Sequence, residues 1–216
     1  MDMTTILLVR HGQTAWNREQ RFRGQVDVPL DEMGLLQAAA LGQRVAAAWK
    51  PAAIYASPLQ RTLQTATPIA QACGLGIISH AGLVDIDFGA CTGLSEAEFA
   101  AHYPQLASAW YERPHTVHFP GGESLADVHR RAVDMLNEVV AHHPDHTVVL
   151  VTHLVVCRVL LCHFLDLETD HFWKFEPAPA SLSILEISTR GRLLRTLNDT
   201  AHLHPLAVGR GPKVVL

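Results

Sequence analysis

The sequence predicts an α/β fold, a three-layer sandwich in which a mostly parallel central sheet is flanked by helices on both faces. Short aliphatic runs alternate along the chain with segments of helical spacing, which is the pattern of strands joined by crossover helices. The runs at residues 5–9 and 147–151 are unbroken and rich in β-branched side chains. Such runs are typical of parallel strands that are buried on both faces.

The first half of the chain begins with the strand at residues 5–9, followed by a loop. Asp31 then suits the N-cap of a helix, because its short carboxylate can accept a hydrogen bond from the first turn. Apolar residues recur at helical spacing as far as Trp49, and Pro51 stops the helix.

A second strand and helix follow. Residues 53–56 form a short apolar run that ends at Ser57 and Pro58. We expect Ser57 to be the N-cap of the next helix, since proline is favoured at the first helical position. Gly74 is the expected C-terminal cap, and residues 75–79 form a further predicted strand.

The middle of the chain, about residues 82–122, is less regular and is expected to be an insertion that covers the substrate. Two short helices are predicted within it, at residues 94–102 and 106–111. Regular alternation then returns. It comprises a helix from Ser124, the strand at 147–151, a helix at 156–164 and a closing hairpin of residues 181–187 and 193–197.

The chain has 216 residues, enough for one α/β domain with a full core. We assign residues 1–204 to that domain. Residues 205–216 contain glycine and proline without periodicity, so they are assigned to a C-terminal tail.

Composition and charge limit the classes of partner that we expect. A formal net charge of -4 argues against a nucleic-acid-binding protein, and the first apolar run is too short for a membrane span or a signal sequence. The 4 cysteines form no CxxC pair, so reduced thiols and a cytoplasmic location are expected. Most of the 14 histidines lie in polar surroundings, and no metal or other cofactor is predicted. A monomer and a homodimer both remain open.

Cations and imidazoles follow the ends of the predicted parallel strands. Arg10 and His11 follow the first, Ser57 and Arg61 the second, and His153 the run at residues 147–151. Because the carboxyl ends of neighbouring parallel strands lie along one edge, these side chains should converge on one crevice. Arginine offers a planar fork that fits phosphate oxygens. The pattern therefore predicts a phosphate site.

Two further residues are assigned to this site. Asn17 adds a neutral donor. The helices after Ser57 and His153 point their amino ends toward the same edge, where free backbone N–H groups favour an anion. Leu154, directly after His153, is included among the phosphate-binding residues.

Four ordered motifs resemble those of the histidine phosphatase superfamily, branch 1, and in particular its small bacterial phosphatases with a phosphoglycerate mutase-like fold. The first is Arg10-His11-Gly12 with Thr14 and Asn17. The others are Ser57-Pro58-Leu59-Gln60-Arg61-Thr62, Pro120-Gly121-Gly122-Glu123-Ser124 and Val151-Thr152-His153. The resemblance extends over most of the chain, so it is more specific than any single motif.

Residue chemistry and the resemblance agree on the roles of the two histidines. An ordinary imidazole has a pKa of about 6.5, so a neutral nitrogen is available near pH 7. His11 is the predicted nucleophile, which would form a phosphohistidine. His153, protonated or donating, is expected to neutralise charge on the phosphoryl oxygens together with Arg10 and Arg61. The resemblance further implies that water hydrolyses the intermediate.

The resemblance also implies a general acid. Members of the family carry a glutamate in a segment similar to residues 83–89, where this chain has Asp85. We expect Asp85 to protonate the leaving oxygen, with a pKa raised by the bound phosphate, and Asp87 is the alternative. Two other departures from the family pattern concern the shape of the pocket: Cys91-Thr92 in place of Trp-Glu, and Leu154-Val155 in place of small glycines.

These residues predict a cofactor-free phosphomonoesterase that hydrolyses a small phosphorylated metabolite. A cofactor-dependent phosphoglycerate mutase is the alternative within the same fold. Mutases that resemble this chain carry a longer, more basic insertion, whereas residues 92–119 contain Arg113 as their only arginine or lysine. A catalytically silent phosphate-binding module would require the loss of a core residue, and all four (Arg10, His11, Arg61 and His153) are present.

The sequence leaves the substrate open. Phe22, Gln25 and Glu123 are assigned to binding the rest of the substrate. Several apolar residues have helical spacing and either line a pocket for an uncharged substrate body or pack in the core. They are Phe22, Leu94, Phe99, Tyr103 and Trp110.

Overall fold

A six-stranded sheet forms the centre of the computed structural model, which describes residues 3–207. Its strands are β1 (Met3–Arg10), β2 (Pro51–Ala56), β3 (Ile77–Ser79), β4 (Thr147–Thr152), β5 (Leu182–Ser188) and β6 (Gly191–Asp199). The strand order is β3-β2-β4-β1-β5-β6. The first four of these are parallel to one another, and β5 and β6 add an antiparallel hairpin at one side.

Helices cover both faces of this sheet. They are α1 (Ala15–Arg18), α2 (Glu32–Ala48), α3 (Gln60–Cys73), α4 (Glu96–His102), α5 (Pro104–Glu112), α6 (Leu125–His142), α7 (Leu154–Phe164) and α8 (His204–Ala207). Val9 points to the face where α2 and α3 pack, and its neighbour Leu8 points to the face of α6 and α7. The predicted three-layer sandwich with a mostly parallel sheet is confirmed.

Most predicted helix ends are found in the structure. Asp31 caps α2, since its Oδ1 accepts a hydrogen bond from the Gly34 amide at 2.8 Å. Gly74 ends α3 with a φ of 68°, in the left-handed region that favours glycine. Ser124 caps α6 in a capping box with Asp127.

The start of α3 differs from the prediction, because Ser57 is not its N-cap. The helix begins at Gln60, whose amide donates to Asp27 Oδ1 at 2.6 Å. A carboxylate from an earlier loop therefore replaces the local serine as the cap. Its negative charge also occupies a helix end that was expected to face the phosphate. The Ser57 hydroxyl is left for another partner, His153.

The segment between β3 and α6 contains the two predicted short helices, α4 and α5, and lies over the carboxyl edge of the sheet. An aromatic cluster fixes it: the Phe22 ring lies 4.6 Å from Phe99 and 4.9 Å from Phe88, centroid to centroid. Trp110 lies 5.1 Å from Phe119 in the same cluster. These aromatic residues belong to the core, and Phe22 and Trp110 also line the cavity beside it.

All four cysteines are free thiols, and three of them, Cys91, Cys157 and Cys162, are buried. Within residues 3–207, no helix has the length and apolar character needed to cross a membrane. The predicted tail begins inside α8, and residues 208–216 lie outside the described part of the chain.

Candidate active site

The strand register brings the predicted site residues together. Arg10 is paired with Thr152 across β1 and β4, and the His11 amide donates to the Thr152 carbonyl at 2.9 Å. His11 and His153 therefore leave neighbouring strands at the same level. Their ring centroids lie 5.3 Å apart.

His11 is held in one tautomer by its own loop. Its Nδ1 lies 2.6 Å from the Gly12 carbonyl oxygen, and a carbonyl can only accept, so Nδ1 carries the proton. The lone pair is then on Nε2. Burial and the charges of Arg23, Arg61 and Arg10 hold the pKa of His11 well below its usual value. The ring is consequently neutral near pH 7 and has one unprotonated nitrogen.

His153 is held in the opposite tautomer. The Arg61 Nε–H donates to its Nδ1 at 3.1 Å, so Nδ1 must be unprotonated and Nε2 carries the proton. Nε2 donates to Ser57 Oγ at 2.8 Å. Burial and the nearby Arg61 charge hold the pKa of His153 well below its usual value. Of the two forms expected, the geometry favours the neutral, donating imidazole.

Arg61 is fully buried, and most of its donors are engaged. Besides His153, it donates to the carbonyls of Val26 at 2.8 Å and Gly24 at 2.7 Å and to Asp85 Oδ2 at 3.4 Å. These bonds use four of the five N–H groups of a guanidinium. Arg61 thus fixes His153 and Asp85 and supplies positive charge, and one N–H remains for a ligand.

The two candidate acids point to different surroundings. Asp85 Oδ2 lies 3.7 Å from His153 Nδ1, and Asp85 lines a cavity together with Arg10 and Asn17. Burial raises the pKa of Asp85 despite the neighbouring arginines. Asp87 instead accepts the Gly89 amide at 2.8 Å through its Oδ1, within its own turn. The geometry favours Asp85 as the group that carries a proton to the reacting centre.

The other predicted phosphate ligands surround the same space. Arg10 Nη1 donates to the Pro177 carbonyl at 2.6 Å, while its buried Nε has no hydrogen-bond partner among the described residues. Asn17 Oδ1 accepts from the Thr14 amide and hydroxyl, which leaves the amide nitrogen for a ligand. Leu154 begins α7 and lines the cavity, as do Arg10 and Asn17.

Comparison with known proteins identifies the family of the chain. The family described as histidine phosphatase superfamily (branch 1) matches residues 6–200. The chain belongs to this superfamily. It is similar to phosphoserine phosphatase 1 of Hydrogenobacter thermophilus, with 38% identity over 93% of this chain and 95% of that protein. It is also 32% identical to a probable phosphoglycerate mutase, GpmB, of Proteus mirabilis, over 95% of this chain and 98% of the relative.

A solved structure has the same architecture. Bacillus stearothermophilus YhfR superimposes with a TM-score of 0.88 and 33% identity, covering 93% of this chain and 99% of that one. The phosphoglycerate mutase-like fold implied by the sequence motifs is therefore confirmed for this histidine phosphatase.

Two of the residues assigned to substrate binding lie behind the acid instead of in the cavity. Both Glu123 carboxylate oxygens accept from Arg131, at 2.9 and 3.0 Å, and one also accepts the Asp87 amide. The exposed Gln25 donates to the Asp85 carbonyl at 3.2 Å. These contacts suit residues that position the acid segment. Phe22, the third residue assigned to substrate binding, does line the cavity.

One site residue of this histidine phosphatase escaped the sequence analysis. Arg23 lines the cavity, and its Nη1 donates to Thr14 Oγ1 at 2.8 Å and Asn17 Oδ1 at 2.9 Å. It lies in a predicted loop, away from any strand end, so the geometry of the sheet does not predict its place in the site. Its closeness in sequence to the first motif was the available signal.

The cavity has a volume of about 340 Å³, and its lining includes Arg10, Asp85 and residues of the segment between β3 and α6. On one wall, the Arg158 guanidinium stacks 4.9 Å from the Phe172 ring and 4.6 Å from Trp173, and its Nε donates to the Phe175 carbonyl. Glu176 lies on the same wall and is exposed. The cavity lining therefore combines Arg10, Asn17 and Arg23 with a wall of mixed charge.

Proposed function

We propose that this protein is a phosphomonoesterase that works through a phosphohistidine on His11. The observation that carries the proposal is the unprotonated Nε2 of His11, fixed by the bond between Nδ1 and Gly12 in a site surrounded by arginine side chains. A neutral nitrogen with a locked ring is suited to in-line attack on phosphorus.

In the first step, His11 Nε2 forms a bond to phosphorus while the bond from phosphorus to the leaving oxygen breaks. Asp85 gives its proton to that oxygen, which departs as an alcohol. The His11 Nδ1–H stays hydrogen-bonded to the Gly12 carbonyl, and this bond stabilises the positive charge of the phosphorylated ring.

In the second step, Asp85 accepts a proton from water, and the water oxygen attacks phosphorus. The nitrogen–phosphorus bond breaks, inorganic phosphate leaves, and His11 and Asp85 return to their starting forms. Positive charge and donors from Arg10, Arg61 and His153 stabilise the phosphoryl oxygens in both steps.

The cavity wall favours a substrate whose leaving group is zwitterionic. Arg158 can face a carboxylate, and Glu176 can face an ammonium group. A phosphorylated amino acid carries both groups close to its phosphate. Phosphoserine, the substrate named for the relative from H. thermophilus, is therefore the first compound to test.

The His11→Ala variant should release no phosphate and take up no label from a ³²P-labelled substrate, because no other nitrogen is positioned for attack. Rapid-quench trapping of the wild-type protein should give a labelled species that is lost in acid and survives base. His146→Ala, in an exposed loop, is the matched control and should behave as wild type. Full activity in His11→Ala, or a label stable to acid but not base, would overturn the mechanism.

We further propose that the enzyme acts in the cytoplasm on a diffusible metabolite, as a monomer or a homodimer. The four free thiols agree with a reducing compartment.

A further inference from the structure

Two arginines present the same unoccupied edge in the phosphate site. Arg10 is fastened through Nη1 to the Pro177 carbonyl, and Arg23 is fastened through Nη1 to Thr14 and Asn17. In both, the Nε atom is buried and has no hydrogen-bond partner among residues 3–207. The edge formed by Nε and Nη2 is one that a guanidinium uses to grip an oxyanion with two parallel bonds.

A buried N–H group without a partner is costly, so proteins seldom keep one unless a ligand or water completes it. Two such groups beside one cavity therefore point to an anion between them. Arg61 differs, because four of its five N–H groups are engaged by protein atoms.

Electrostatics place Arg23 close to the reacting centre. Among the charges that lower the pKa of His11, that of Arg23 has the largest effect, ahead of Arg61 and Arg10. Burial among these cations also lowers the pKa of Arg23 itself to about 9. A bound dianion would relieve this repulsion, because it supplies two negative charges where Asp85 supplies at most one.

We propose that Arg23 is a direct ligand of the phosphoryl group, which it grips through its Nε and Nη2 edge opposite the equivalent edge of Arg10. This inference rests on the proposed function, since it assigns a new ligand to the same phosphate. It gives the site a third arginine that the sequence motifs do not mark.

The competing explanation is that Arg23 acts only by positioning Thr14 and Asn17, the residues to which its Nη1 donates. Lysine separates the two roles. An ammonium group keeps the charge and can still donate to Thr14 and Asn17, but it lacks the second parallel N–H of the fork.

Titration calorimetry with inorganic phosphate tests the proposal without turnover. Arg23→Ala should weaken phosphate binding by about 10–100-fold, the loss typical of a charge-assisted pair of hydrogen bonds, and Arg23→Lys by roughly tenfold. Arg195→Gln removes one positive charge on β6 from an ion pair with Glu186 on β5, and it should leave binding unchanged. Thermal unfolding of each variant verifies folding, and Arg23→Lys remains informative if Arg23→Ala does not fold.

Phosphate affinity in Arg23→Lys equal to that of the wild type would overturn the proposal and leave Arg23 a positioning role. Unchanged affinity in a folded Arg23→Ala would do the same. Failure of the proposed function is a separate outcome: the wild-type protein would then bind phosphate with the same dependence on Arg23 but hydrolyse no phosphomonoester.

Discussion

At the scale of single residues, the two histidines are fixed in complementary protonation states by partners that have no choice of role. The Gly12 carbonyl can only accept, and the Arg61 Nε–H can only donate. His11 is therefore left with a free lone pair on Nε2, and His153 with a proton on Nε2 that it donates to Ser57. The proposed nucleophile and a hydrogen-bond donor are thus in place before any substrate arrives, and no proton needs to be moved between the rings.

Asp85→Asn tests the acid role, because asparagine keeps the size and polarity but cannot deliver a proton. Hydrolysis of alkyl phosphates should slow by roughly 10²–10⁴-fold, the usual range for general acid catalysis. An aryl phosphate with a good leaving group should slow much less. Steady-state kinetics on the two substrate types measure the difference.

Asp87→Asn is the matched control for that experiment, since Asp87 bonds to its own turn. It should show no dependence on the leaving group. Equal losses on both substrate types in Asp85→Asn, with a leaving-group-dependent loss in Asp87→Asn, would move the acid role to Asp87.

Residues that follow strand ends could be predicted from the sequence, because the geometry of a parallel sheet dictates where they meet. Arg10, His11 and His153 are of this kind. Arg23 is not, since its role depends on which groups its loop meets. Ser57 does follow a strand end, but its hydrogen bond to His153 depends on a partner 96 residues away in the chain. The carboxylate of Glu123 could not be assigned for the same reason: its partner Arg131 lies two helical turns away on α6.

At the scale of elements, the start of α6 acts as a clamp on the segment that carries the acid. Arg131 donates to the carbonyls of Gly82, Val84 and Asp85, and to Glu123. The turn before α6 lies so close to this segment that a Cβ on Gly122 would be 2.3 Å from the Asp87 carbonyl oxygen. The segment that carries Asp85 is thus held in place through contacts to its backbone.

Arg131→Met should loosen this clamp. We expect unfolding free energy to fall by about 1–3 kcal/mol, as for lost hydrogen bonds to a charged group. Alkyl phosphate hydrolysis should slow by up to about 10²-fold, because misplacement of a catalytic group by an ångström can cost that much. Urea denaturation and kcat measurements test both expectations.

The adjacent residue provides the control. Arg130 is exposed and, among residues 3–207, pairs with Asp127 alone, on the same helix, so Arg130→Met should change neither quantity appreciably. Wild-type kcat in Arg131→Met would show that the acid segment keeps its position without the clamp.

Element boundaries were predictable where the signal is local. The caps of α2 and α6 and the end of α3 each depend on residues within one turn. The predicted start of α3 was wrong because its cap, Asp27, lies more than thirty residues before Gln60 in the chain. Local capping rules describe only the partners that the sequence window contains.

At the scale of the whole molecule, we expect the covering segment to determine which acceptor reaches the proposed phosphohistidine. Its contributions to the cavity wall, within residues 82–122, are Asp85, Phe88, Glu96, Trp110 and Tyr111, and none of these is a cation. A mutase must hold its anionic product over the phosphoenzyme until the phosphoryl group returns. This cover has little to hold such an anion, so water is the favoured acceptor.

We therefore expect hydrolysis to exceed isomerisation. With 2- or 3-phosphoglycerate, phosphate release should be faster than interconversion of the two, and phosphoserine should be hydrolysed faster than either. Phosphate release and NMR of the glycerates can be followed on one sample. Isomerisation that outruns hydrolysis, with stimulation by a bisphosphoglycerate, would instead support the mutase alternative.

The thiol of Cys157 lies beside this site in a state that keeps it unreactive. It is buried, and burial raises its pKa to about 12, even with Arg10 nearby. Peroxide and alkylating reagents attack exposed thiolates, not enclosed thiols. We therefore expect an enzyme whose proposed nucleophile is a ring nitrogen, with this buried thiol protonated beside it, to keep its activity under oxidising conditions that inactivate an enzyme dependent on a cysteine.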